Sequence, residues 1–287
     1  MIATKASTRP ARTTKLPSGD VIPVLGQGTW HLAEKPSRRA GEIGAIQLGV
    51  DLGITLIDTA EMYGNGAAET LVGEAIAGRR DEVFLVSKVL PQNATRHGTL
   101  AACERSLKRL GTERLDLYLL HWRGRVPLAE ALEAFQVLVA AGKIRNWGVS
   151  NFDVDDLEDL VALPGGDAVA TDQVLYNLAH RGIEFDLLIW SRKFGFPIMA
   201  YSPIEQGGLL GHPVLQAIAV KHLATPAQVA LAWVVRWGDV CAIAQMGTPE
   251  HIAENREALD LRLDAEDLAA LDLAFPPPSH KLPLEVH

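Results

Sequence analysis

Val83-Phe84-Leu85-Val86-Ser87-Lys88 is a short run of apolar and β-branched residues that ends on a lysine. Its length suits a strand buried on both faces, and the helical-period segment Thr99 to Leu110 that follows supplies a cover. The same unit recurs on either side. Val24 to Gly28, Ile54 to Asp58, Leu115 to His121, Trp147 to Ser150, Val169 to Tyr176, Ile198 to Ser202 and Val240 to Gln245 are runs of the same kind, eight in all. Their ends fall 26 to 33 residues apart, except for a final gap of 43 that has room for an additional element. Arg39 to Leu52, Leu128 to Ala141 and Pro226 to Trp237 carry apolar residues at three- and four-residue spacing, as helices packed on a sheet do. Ala141-Gly142-Lys143 reads as a helix stop, and Thr225 before Pro226 as an N-cap followed by proline at the first helical position. Eight strand–helix units without a compositional break predict an α/β fold, a single (β/α)8 TIM barrel over 1–287 in preference to an open doubly wound sheet. Leu16 to Val24, with Pro17-Ser18-Gly19-Asp20 in its middle, predicts a β-hairpin closing the bottom of the barrel.

Composition agrees with one large core. Of 287 residues, 48% are hydrophobic and 22% charged, which argues against disorder, collagen and coiled coil. A net charge of −8 gives no footprint for nucleic acid or an anionic membrane surface, so neither is expected as a partner. No apolar run reaches the length of a membrane span. The two cysteines, Cys103 and Cys241, lie far apart and outside any Cys-x-x-Cys spacing, which points to a reducing cytoplasm and to neither a disulfide framework nor a zinc site. Lys5, Arg9, Arg12 and Lys15 resemble an organellar presequence in composition. A flexible arm over residues 1–12 is the simpler expectation.

In such a barrel the C-terminal strand ends converge on one mouth, where catalytic groups collect. Asp58, Lys88 and His121 end the second, third and fourth runs, and Tyr63 follows just beyond Asp58. Singly, an aspartate can cap a turn and a histidine after an apolar strand can be a packed, satisfied residue. Lys88 is harder to explain that way, because an inward ammonium is costly unless paired. Together the four predict acid–base chemistry. Lys88 is expected to lower the Tyr63 phenol from its usual pKa of about 10, making it a proton donor, while Asp58 keeps the ammonium charged and oriented. His121 would hydrogen-bond a substrate carbonyl and stabilise the alkoxide forming on it. No metal site is expected, since no His-x-His or equivalent cluster ends a strand.

These residues resemble the aldo-keto reductase family along essentially the whole chain. Gly26-Gln27-Gly28-Thr29-Trp30 is similar to the family's first strand, Asp58-Thr59-Ala60-Glu61-Met62-Tyr63-Gly64 to its Asp/Tyr segment, Ser87-Lys88 to its lysine and Leu120-His121-Trp122 to its histidine strand. Gly148-Val149-Ser150-Asn151-Phe152, Gln173 to Asn177, Ala200-Tyr201-Ser202-Pro203 and Glu254-Asn255 fall in family order. The bacterial short-looped subgroup, which includes methylglyoxal and 2,5-diketogluconate reductases, is the nearest likeness. The resemblance implies nicotinamide-dependent reduction of aldehydes and ketones to alcohols by hydride transfer. Tyr63 would be the general acid, tuned by Lys88 and Asp58, with His121 orienting the carbonyl. It also implies that Ser150, Asn151 and Gln173 hold the nicotinamide carboxamide, that Tyr201 stacks on the ring, and that Ser202, Gln245, Thr248, His251, Glu254 and Asn255 belong to the cofactor site. Trp30 and Trp122 would line the substrate pocket. Without the family, Ser150-Asn151 reads as a helix N-cap and Gln173 as an ordinary buried amide.

One departure bears on the cofactor. The family's adenosine site usually carries a Pro-Lys-Ser-like run followed by an arginine, and those cations clamp the 2′-phosphate of NADP. Here the run is Ala244-Gln245-Met246, and His251 stands at the arginine position. A phosphate monoester carries about −1.5 to −2 charge near neutral pH, so missing cations cost charge-assisted hydrogen bonds. NADPH is expected first, with NADH or dual use as the alternative. A Schiff-base lyase using Lys88 and a nucleotide-binding accessory or sensor protein with little turnover are the competing readings. Small aldehydes, α-dicarbonyls such as methylglyoxal and keto-sugars are the expected substrates. A short Trp122–Val126 loop and a short tail predict an open pocket, and a monomer is expected.

Overall fold

The computed structural model describes residues 11–287. Of the expected arm 1–12, residues 1–10 lie outside the described residues, while Arg12 donates from Nη2 to Val235 O at 2.8 Å. The hairpin forms as β1 (Thr13–Lys15) and β2 (Val21–Pro23), paired antiparallel with Thr14 opposite Ile22. Its turn is closed by Leu16 N→Asp20 O and Gly19 N→Leu16 O, both 2.9 Å. Gly19 has φ +91°, a conformation that an L side chain rarely adopts.

Eight parallel strands close the barrel: β3 (Leu25–Gly28), β4 (Leu56–Asp58), β5 (Phe84–Val89), β6 (Leu115–Leu120), β7 (Ile144–Ser150), β8 (Asp172–Leu175), β9 (Ile198–Tyr201) and β10 (Val240–Gln245), with β10 pairing β3. All eight fall on the runs read from the sequence. β7 starts three residues earlier than its apolar run, because polar Arg145 and Asn146 are absorbed at the barrel bottom. There Asn146 Nδ2 donates to Asp116 O and Asp20 Oδ2.

Helices α1 (Arg39–Asp51), α2 (Ala67–Ala75), α3 (Arg96–Leu110), α4 (Leu128–Ala140), α5 (Val154–Val161), α6 (Leu187–Phe194), α7 (Pro213–His222), α8 (Pro226–Val234), α9 (Pro249–Glu257) and α10 (Ala265–Ala274) accompany the strands. α7 and α8 both fit in the long final gap. Thr225 caps α8 with a reciprocal box to Gln228, and Gly142, at φ +70°, follows α4 as the stop expected there. Among the described residues no single helix is long and apolar enough to cross a membrane. Cys103 and Cys241 are buried free thiols.

The pleat divides each strand between two environments. Ile57, Leu85, Val89, Leu120, Val149, Val174, Ala200 and Ala242 join the large core between sheet and helices. Leu56, Val86, Leu117, Leu119, Met199, Cys241 and Ile243 point inward, and Leu16 and Ile22 of the hairpin join them as the floor. Gly26 faces this interior, where a Cβ would sit 2.8 Å from Leu56 and Ile243. Among the described residues eight non-glycine residues have positive φ, and seven of them (His31, Ala33, Asn65, Asn151, Ser202, Glu205, Gln206) follow strand C-terminal ends.

Candidate active site

Two residues beyond the apolar interior, the same strand faces turn polar. Leu56 is followed by Asp58, Val86 by Lys88, Leu119 by His121 and Met199 by Tyr201. Tyr63 arrives from the turn after β4, where Gly64 and Asn65 take left-handed conformations. Lys88 is completely buried. Its Nζ donates to Asp58 Oδ2 at 2.6 Å, Thr59 O at 3.0 Å and Tyr63 Oη at 3.2 Å, which uses all three ammonium protons. The preceding Ser87 points the other way and donates to buried Glu69 at 2.6 Å, which anchors the strand from behind.

Burial is the largest influence on Lys88 and disfavours its charge, yet the Asp58 carboxylate and Tyr63 oxygen together hold its pKa above the ordinary lysine value. For Tyr63 the balance goes the other way. Although part of its ring lines the cavity, burial raises the phenol above its usual value, and the Lys88 charge only partly offsets this. The expected net lowering of Tyr63 is therefore corrected, because desolvation outweighs a single nearby ammonium. His121 is pushed down to about 3 by burial and secondarily by the Lys88 charge, so it is a neutral imidazole at physiological pH. Its ring meets Tyr63 edge-on, with centroids 5.8 Å apart.

The cofactor candidates sit on the adjacent strands. Gln173 Nε2 donates to Asp58 Oδ1 at 2.8 Å, tying β8 to the acid. Asn151 bridges the mouth: its Nδ2 donates to His121 O at 3.1 Å and its Oδ1 accepts from Tyr201 Oη at 2.9 Å. Ser150 Oγ donates to Gln173 O at 2.7 Å. Asp153, and not Ser150 or Asn151, caps α5, which leaves those two side chains to the mouth.

A cavity of about 460 Å³ runs from Tyr63 and His121 past Ser150, Asn151, Gln173, Tyr201 and Ser202 to Gln245, His251, Glu254 and Asn255, with Trp30 and Trp122 on its rim. Two expected site residues are not on its wall. Lys88 lies behind Asp58 and Tyr63, and Thr248 caps α9, its Oγ1 accepting from His251 N at 3.3 Å. Met246 is buried, so the altered adenosine-side run presents only Gln245. Among the described residues no lysine or arginine lines the cavity. Sequence reading missed Met62, Gln206, Gly207, Leu210 and His287, which also line it. A glycine pair such as Gly207-Gly208 is a signal that could have marked a loop there, whereas nothing local points to His287. That residue is brought to the wall by the segment after α10, with His287 N 3.4 Å from the Tyr201 phenol oxygen.

Comparison with known proteins agrees with this geometry. The model of the "Aldo/keto reductase family" matches residues 24–274. The chain is 50% identical over 275 residues to methylglyoxal reductase YeaE of Escherichia coli (strain K12), covering 94% of this chain and 97% of that protein. It is 35% identical to methylglyoxal reductase DkgB of Salmonella typhi, covering 88% and 93%. A crystal structure of an aldo/keto reductase from Klebsiella pneumoniae in complex with NADP and acetate superposes with a TM-score of 0.94 at 46% identity, covering 96% of this chain and all of that one. A closed parallel barrel with Asp58, Tyr63, Lys88 and His121 gathered at its mouth, matched across nearly its full length, therefore belongs to the aldo/keto reductase family of nicotinamide-dependent carbonyl oxidoreductases.

Proposed function

We propose that the protein reduces small aldehydes and α-dicarbonyls such as methylglyoxal to alcohols, using NADPH, as a cytoplasmic monomer. The observation that carries this reading is Lys88 Nζ held between Asp58 Oδ2 at 2.6 Å and Tyr63 Oη at 3.2 Å beside a neutral His121. The wall is suited to a nicotinamide: amide and hydroxyl groups of Ser150, Asn151 and Gln173 match a carboxamide, the Tyr201 ring offers a stacking face, and the cavity continues to the N-terminus of α9, whose positive dipole end suits a phosphate. When bound, the nicotinamide supplies the hydride. A substrate carbonyl placed between Tyr63 and His121 would accept a hydrogen bond from each. As negative charge grows on that oxygen, Tyr63 gives up its proton, and the 3.2 Å bond from Lys88 stabilises the phenolate left behind. A phenol held above its usual pKa stays protonated through neutral pH, as a donor must.

Trp30 and Trp122, each 37% exposed, supply apolar rims for a small organic substrate. NADPH is supported by the Klebsiella pneumoniae structures solved with NADP and with NADPH. A reducing compartment suits two unpaired thiols. The lyase reading loses its support, because a lysine with all three protons donated and no solvent access has no lone pair to offer a carbonyl. The sensor reading needs a disabled tetrad, and the tetrad is assembled. The test is NADPH and NADH titration by fluorescence quenching, then turnover on a carbonyl panel for wild type and Tyr63→Phe. The variant should bind nicotinamide normally and lose roughly 10²- to 10⁴-fold in kcat. Near-wild-type turnover would remove Tyr63 from the role, and absent wild-type turnover would reject the reading.

A further inference from the structure

His180 lies between β8 and α6, Glu205 between β9 and α7, and His287 in the segment after α10. The fold brings all three to one point, where His287 also lines the cavity. Glu205 Oε2 is 3.3 Å from His180 Nε2 and 3.5 Å from His287 Nε2, and the three ligand-capable atoms lie within 4.8 Å of one another. Atoms each about 2.0–2.2 Å from a shared tetrahedral ion stand roughly 3.3–3.5 Å apart, so two of the three edges already have that length. Asn177 Nδ2 donates to the same Glu205 oxygen at 2.7 Å and to Ser202 O at 2.9 Å, which fixes the carboxylate relative to the strand end.

The far side of the His180 ring is also prepared. Glu285 Oε2 is 3.0 Å from Nδ1, yet that nitrogen is buried without a hydrogen bond. A small rotation of the ring would let Glu285 accept the Nδ1 proton and leave the Nε2 lone pair to a metal, the usual pairing of carboxylate, imidazole and ion. Charge points the same way. Glu205 and Glu285 pair with no lysine or arginine among the described residues. A second cluster of metal-ligand type, His222, Asp264 and Asp267, provides the contrast: the Lys221 ammonium already sits there, 2.6 and 2.8 Å from the two aspartates.

We propose that His180, Glu205 and His287, backed by Glu285, bind one divalent transition-metal ion of the zinc class, and that the ion fastens the 285–287 segment across the rim beside Tyr201. Mixed imidazole and carboxylate donors suit zinc, cobalt, nickel or copper better than magnesium or calcium. With His287 on the cavity wall and its ring centroid 6.3 Å from that of Tyr201, a bound ion would slow exchange of whatever occupies the cavity.

The experiment uses the full chain freed of metal with a chelator. Cobalt(II) titration is followed by visible absorption, and zinc(II) by competition with a chromogenic chelator. One equivalent should bind, with the ligand-field bands of nitrogen–oxygen coordination. His287→Ala and His180→Gln should each weaken binding at least roughly tenfold, with unchanged circular dichroism, while His222→Ala leaves it intact. No stoichiometric uptake, uptake equally strong in His287→Ala and His180→Gln, or loss confined to His222→Ala would each overturn the site. Zinc should also slow NADPH dissociation at least threefold by stopped-flow fluorescence in the wild type and not in His287→Ala. An unchanged dissociation rate with metal bound would overturn the fastening. The metal titration involves no nicotinamide, so its failure is separable from failure of the carbonyl-reductase reading.

Discussion

Leu56, Val86, Leu119 and Met199 and the residues two places on, Asp58, Lys88, His121 and Tyr201, occupy the same faces of the same strands. One pleat separates an apolar floor from a polar mouth. At the floor the forces are non-directional: Leu16 and Ile22 of the hairpin fill space against the strand residues, and any well-fitting apolar set would serve. At the mouth they are directional. Each buried polar group depends on particular partners, as Lys88 does on three acceptors and Asp58 on donors from β5 and β8. A barrel can thus spread its stability over one end and concentrate its chemistry at the other.

The sharpest way to break this division is Lys88→Met. Turnover should fall at least 10³-fold, beyond the loss of one proton-transfer contact, and the unpaired Asp58 charge should cost about 3–5 kcal/mol in urea unfolding. Stability preserved in that variant would mean that the pair is not energetically coupled to the fold. Ile22→Ala tests the opposite end. A cavity at the floor should cost about 2–5 kcal/mol while kcat/KM stays within about twofold, and parallel loss of both would show that the two ends are not separable.

His121 allows a finer cut through pH. Its folded pKa of about 3 lies below the ordinary 6.5, so the stability linked to it is complete above 6.5 and is lost as pH falls toward 3. Wild type should lose roughly 4–5 kcal/mol more across that window than His121→Gln, a difference that unfolding midpoints at several pH values will show or refute. For the same reason kcat should have no acid limb near 6.5. With Tyr63 raised, the alkaline limb of reduction belongs above the ordinary phenol value of 10.0. The smallest effect belongs to the rim: Trp30→Ala should raise KM for small aldehydes roughly tenfold at most, with kcat unchanged.

The strand ends were readable because the β-α period places every polar terminus at one mouth, so Asp58, Lys88 and His121 could be grouped before any coordinates. Tyr63 ends no strand and was readable only from its place just beyond Asp58; the turn that brings its oxygen to 3.2 Å from Lys88 is visible only in the structure. The direction of its pKa was not readable, because desolvation depends on everything packed around the hydroxyl and no local motif records it. Gln206 and Leu210 lie in the long connection after β9, where chain order says little about which side chains turn inward. His287 is placed by contacts with Tyr201 and Glu205, more than 80 residues away in sequence.

Left-handed backbone at Asn151, Ser202, Glu205 and Gln206 has a further consequence. Such non-glycine conformations cost of order 1–3 kcal/mol each and persist only where the surroundings enforce them. Variants selected for heat resistance should first accumulate glycine at these positions, or asparagine at Ser202, Glu205 and Gln206, since the gain is ready-made. Every such relaxation would loosen the ring of the barrel through which substrates pass, so durability and selectivity in this chain draw on the same few peptide units.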